Sequence, residues 1–95
     1  MRKPLDVRSL LFGRTREHVL DLLLQHPTER YYMRELAYHA QVAASSVQRE
    51  VDLLVAADLI TRVRSGHQIY FQINQASPVF PEIQSLFQKT ARQPN

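Results

Sequence analysis

Between Ser45 and Arg49 the chain gathers hydroxyl, amide and guanidinium side chains, Ser45, Ser46, Gln48 and Arg49, around a single apolar Val47. Groups of this kind form hydrogen bonds to another molecule. They do not make a catalyst here, because no Ser/His/Asp grouping, paired catalytic carboxylates or glycine-rich phosphate loop can be assembled around them. An enzyme is not expected. The histidines, His18, His26, His39 and His67, are scattered, and Glu35 and His39, four apart on a helix, read as a surface contact rather than a metal site. Neither a metal nor another cofactor is expected. Tyr31, Tyr32, Tyr38, Tyr70 and Phe71 stand at strand and helix spacing, which suits core or interface positions better than stacking on bases.

The polar run has to be held by an element, and its periodicity names a helix over about 44–57. Val47, Val51, Leu54 and Val55 recur at helical spacing and pack inward, so Ser45, Arg49, Asp52 and Ala56 lie on the opposite face, flanked by Gln48 and Ser46. Asp52 argues against broad phosphate binding on that face and could orient Arg49. Ahead of it, Leu36, Ala37 and Ala40 mark a short helix over Arg34 to Ala40, and Gln41-Val42-Ala43 breaks it. Tyr31-Tyr32-Met33 reads as a short strand. Leu5 to Phe12 reads as a short helix that Gly13 ends, with Thr15 as N-cap of a helix from Arg16 to His26 closed by Pro27. Val19, Leu20, Leu22, Leu23 and Leu24 cover more than half of that helix, which points to a second surface covering it.

Downstream, Leu59 to Arg64 and His67 to Asn74 alternate, with Leu59, Thr61 and Val63 on one face and Ile69, Phe71 and Ile73 on one face of the second. Ser65-Gly66 reads as the tight turn between them. A last helix over about 78–90 carries Val79, Phe80, Ile83, Leu86 and Phe87 on one stripe, with Pro81 tolerated in its first turn. Residues 91–95 are expected to fray.

Ninety-five residues with 44% hydrophobic and 22% charged side chains suit a single domain over 1–95, with residues 1–12 as an N-terminal extension. The net charge of +3 permits attraction to phosphate without requiring it. The absence of cysteine removes disulfides and thiolate metal sites and fits a reducing cytoplasm. No signal peptide, membrane span or effector pocket is recognisable.

The order helix, strand, helix, turn, helix, hairpin, helix is mainly α with a small β-hairpin, an α+β winged helix-turn-helix. In it Ala37 lets two helices cross, Val42 plugs the turn, and the outward polar face is free to enter a groove about 12 Å wide. The runs Arg34-Glu35-Leu36-Ala37, Ser46-Val47-Gln48-Arg49-Glu50, Ala57-Asp58-Leu59-Ile60 and Gly66 to Asn74 resemble arsenic-repressor-type winged-helix regulators. Leu11-Phe12-Gly13 and Pro78 to Ile83 are similar to the branch found joined or adjacent to minimal nucleotidyltransferases. Three positions depart from the pattern: Gln41 and Asp58 stand where glycine is usual, and Ala43 where a Ser or Thr cap is usual.

The resemblance implies sequence-specific binding of double-stranded DNA by a small cytoplasmic transcriptional regulator. Ser45 and Ser46 would approach the duplex at the helix N-terminus, Gln48 would suit an adenine edge, and Arg49 a guanine edge or a phosphate. Arg64, His67 and Gln68 of the wing, about 62–70, would lie on the backbone or in the minor groove, with Arg62 and Arg34 as further phosphate contacts. A homodimer through the first and last helices is expected, since two-fold regulators bind half-sites about one turn apart. The competing reading is a winged-helix interaction module or accessory subunit for a separate protein partner such as a nucleotidyltransferase.

Overall fold

Asp6 accepts the Arg8 backbone N–H at 3.3 Å and so caps the first helix, α1 (Val7–Phe12). The structure, a computed structural model, describes residues 6–91; residues 1–5, with Leu5 of the expected first helix, and residues 92–95, which hold all of the expected fraying but Ala91, lie outside the described residues. Gly13, at φ 78°, ends α1 and starts α2 (Arg14–Gln25) in one sharp corner. A side chain there would be strained, so the glycine is needed. The Gly13 carbonyl already accepts the Glu17 N–H, which places Thr15 inside α2 rather than at its cap.

Helix α2 is the spine of the molecule and packs against α1, α3 (Met33–Ala40), α4 (Ala44–Ala56) and α5 (Phe80–Lys89). Val19, Leu20, Leu23 and Leu24 are buried by these neighbours, and Leu22 is half-buried. The wide apolar arc that pointed to a second covering surface is therefore filled by the chain's own helices. Large apolar side chains remain exposed on α1 instead, at Val7, Leu10 and Leu11. Residues 7–12 are thus part of the packed body, with Phe12 stacked on Phe87 of α5 at 5.7 Å between ring centroids.

Tyr31 makes a reciprocal pair of backbone hydrogen bonds with Phe71, and the expected strand at 31–33 ends there. Glu35 explains why. Its carboxylate accepts the Tyr32 N–H at 2.7 Å, half of a capping box, and draws the chain into α3 at Met33. Gln41 then takes the left-handed conformation (φ 57°, ψ 44°), and the Val42 N–H returns to the Ala37 carbonyl. Ala37 is buried in the helix crossing, and Val42 packs against the core.

The second left-handed residue, Asp58 (φ 61°), closes α4 and redirects the chain into β1 (Ile60–Ser65). That corner sets the phase of the strand. Ile60, not Leu59 or Thr61, turns fully inward, opposite Ile73 of β2 (Gln68–Ile73), and the same register pairs Arg62 with Phe71 and Arg64 with Ile69. The predicted face of β1 is thus corrected by one residue. The turn likewise shifts by one: Gly66-His67 links the strands, with Gly66 at φ 62° in a glycine-first two-residue loop. Helix α5 starts at Phe80 with Pro81 in its first turn, and Phe87 is its buried anchor.

The result is a mostly helical α+β fold with a two-stranded antiparallel hairpin, a winged helix-turn-helix. Each buried Val or Leu contributes roughly 1.5–3 kcal/mol relative to an exposed one, so Val47, Val51 and Leu54 fix the roll of α4 firmly.

Candidate nucleic-acid interface

With Val47, Val51 and Leu54 turned into the core, helical geometry leaves Ser45, Ser46, Gln48, Arg49 and Asp52 outside, and all are exposed. The structure brings these residues together on one outward face. Ala43 has the extended backbone of an N-cap (φ −62°, ψ 147°) but offers no side-chain hydrogen bond, as its departure from Ser or Thr implied. Among the described residues, Arg49 makes no ion pair, and its guanidinium is available to an outside partner.

Asp52 does not orient Arg49. It accepts a hydrogen bond from Arg62 at 2.9 Å, tying the base of β1 to α4. The reason is register: Arg62 sits opposite Phe71 on the face of the hairpin that looks toward the helices, with its guanidinium 5.9 Å from the Phe71 ring centroid. Arg64, His67 and Gln68 lie further out, exposed around the Gly66 turn, and form the tip of the wing. Arg34 is exposed on α3 and lies 5.0 Å from the Tyr32 ring centroid. Tyr32 in turn shares a 2.8 Å hydroxyl hydrogen bond with Tyr70 of β2. That bond, followed by burial and the Tyr70 charge, holds the Tyr32 phenol above its ordinary pKa.

Glu35 does not pair with His39, because capping Tyr32 occupies it. His39 instead faces α2, with Nε2 3.8 Å from Asp21 and its ring 6.2 Å edge-on from His18. Among the described residues no group of three potential ligands is arranged to hold a metal ion. Tyr38, expected at a core or interface position, is 87% exposed. Phe71 is buried.

Sequence reasoning passed over a buried ionic cluster. Arg8 of α1 is buried, donates to Asp21 at 3.0 Å, to Thr90 Oγ1 at 2.9 Å and to the Phe87 carbonyl, and lies 3.7 Å from the buried Glu17. It joins α1, α2 and α5 through one guanidinium. The available signal was Glu17, an acid one turn from Leu20 on the apolar arc of α2. Beside this cluster lies a cleft of about 810 Å³ between α2, the turn after α3 and α5, lined by Arg14, His18, Asp21, His39 and Gln84 among others. The sequence had announced no such pocket.

No known protein family matches the chain, and no curated protein does. Solved structures do. A MarR-family transcriptional regulator from Silicibacter pomeroyi superposes with a TM-score of 0.67 at 19% identity over 87% of this chain; the chain spans 59% of that protein's length. The homodimeric winged helix-turn-helix DNA-binding domain of a possible ArsR-family transcriptional regulator from Mycobacterium bovis superposes with a TM-score of 0.63 at 20% identity, covering 96% of this chain and 90% of that fragment. Human N-acetylserotonin methyltransferase shares the fold over 75% of this chain but only 20% of its own (TM-score 0.58, 20% identity). At these identities the likeness is one of fold, and these neighbours place the chain among winged helix-turn-helix domains.

Proposed function

We propose that the protein is a transcriptional regulator of the arsenic-repressor-like type that binds double-stranded DNA sequence-specifically, with α4 in the major groove and the wing on the backbone or in the minor groove. One observation carries this reading. The apolar side of α4 is seated in the core while Ser45, Ser46, Gln48 and Arg49 face outward, Arg49 without an ion-pair partner among the described residues. Gln48 and Arg49 have the donor and acceptor geometry for adenine and guanine edges. Arg34, Arg62, Arg64, His67 and Gln68 supply backbone contacts, which fix the register of docking. The regulator domains among its structural neighbours support the reading, and its place of action is the cytoplasm.

A homodimer completes the reading. The Mycobacterium bovis domain is homodimeric, and here α1 leaves Val7, Leu10 and Leu11 exposed next to α5, a face that a second copy would cover.

Fluorescence anisotropy with a labelled random-sequence duplex, titrated at several salt concentrations, tests the proposal. Six phosphates neutralised across a dimer give a log–log salt slope of roughly −5. Arg49→Ala and Arg64→Ala together are expected to abolish the salt-sensitive binding, whereas a protein that ignores duplex or prefers a structured RNA competitor overturns the reading.

A further inference from the structure

The outward face of α4 carries an acid. Asp52 is exposed among groups proposed to meet a polyanion, and a carboxylate in that position repels phosphate. Its contacts suggest what it is for. The carboxylate accepts one N–H of Arg62 at 2.9 Å, and the same guanidinium stands over the buried Phe71 ring, 5.9 Å from its centroid. A guanidinium has five N–H donors, and Asp52 is the acceptor that engages Arg62 among the described residues. The side chains are 47% and 51% exposed, so the pair adds little to stability. The other acid of α4, Glu50, is committed elsewhere, tied to Arg16 at 2.7 Å.

We propose that Asp52 is a positioning residue, which holds the Arg62 guanidinium beside α4 so that its remaining N–H groups take a DNA phosphate next to the bases that α4 reads. The inference rests on the duplex-binding reading above. A long side chain that is already ordered loses less freedom when it binds, and a phosphate contact made from the base of the wing fixes the angle at which α4 enters the groove. Asp52 thereby links the two DNA-facing elements through a side chain that need not touch DNA itself.

The sign of one substitution separates this role from plain repulsion. Removing an acid from a DNA-facing surface tightens binding if repulsion is all that it does. Under positioning, Asp52→Ala weakens binding to a labelled random-sequence duplex by about three- to tenfold for each protomer engaged, the scale of ordering one long side chain. The log–log salt slope becomes shallower by roughly 1.8 as one phosphate contact is lost from each protomer of the dimer. Asp52→Asn, whose carbonyl oxygen can still accept the Arg62 N–H, falls between the two. In an Arg62→Gln background Asp52→Ala no longer weakens binding, because the residue through which it acts is gone and only the repulsion is relieved. Tighter or unchanged binding by Asp52→Ala, or an equal loss in both backgrounds, overturns the inference while leaving duplex binding standing. A wild-type protein that leaves the duplex free sinks the duplex reading and this inference together.

Discussion

Removing one partner from a buried ion pair strands the other charge, and Arg8 is bound to both Asp21 and the fully buried Glu17. Arg8→Ala is expected to lower the unfolding free energy by an amount near the lower end of roughly 3–5 kcal/mol, since Asp21 is still partly solvated. Urea denaturation measures it, and a loss below about 1 kcal/mol contradicts the role given to the cluster. The tyrosine pair makes a second prediction at this scale. The folded Tyr32 pKa lies above 10.0 chiefly because Tyr70 holds the neutral hydroxyl. Its contribution to stability is therefore whole below pH about 10 and disappears as pH rises through the raised value. Tyr70→Phe should return the Tyr32 titration toward 10.0, read from its ring-carbon resonance; an unmoved titration contradicts the assigned cause. Neither the cluster nor the pair was legible in the sequence, since Arg8 meets Phe87 and Thr90, and Tyr32 meets Tyr70, only across the fold.

Elements were far easier to read than their contacts. The helices around Leu20, Leu36, Val47 and Phe87 stand where apolar periodicity placed them, and glycine at 13 and 66 marks real corners. What periodicity could not supply was phase after an irregular corner: left-handed Asp58 decided that Ile60 faces inward, and Glu35 decided that Tyr31 would be a lone bridge. The departures at the helix ends are open to direct test. Gln41 bears the strain of a left-handed backbone, so Gln41→Gly should stabilise the fold by about 0.5–1 kcal/mol despite the added freedom of the unfolded chain. Ala43 already has cap geometry, so Ala43→Ser should add about 1 kcal/mol by accepting an amide hydrogen of the first turn of α4. Thermal melts followed by circular dichroism check both, and a fall in either variant contradicts the conformations described at these ends.

For the whole molecule, the breadth of the apolar arc on α2 was legible but its meaning was not, because the sequence could not show that α3, α4 and α5 would all pack on one helix. Val7, Leu10 and Leu11 leave an exposed apolar face on α1, so in the proposed homodimer Leu10→Glu should shift the protein from dimer to monomer in sedimentation without unfolding it. A dimer that survives this change moves the interface elsewhere. The outward face of α4, by contrast, could be read from spacing alone: a seat of Val47, Val51 and Leu54 determines what is left outside. Whether that face reads bases is tested most directly by selecting bound fragments from random duplex DNA at near-physiological salt. The account predicts an enriched motif with two-fold symmetry, its half-sites about one helical turn apart, that is lost when Gln48→Ala and Arg49→Ala are combined. No enrichment by the wild type, or the same motif from the double variant, contradicts it.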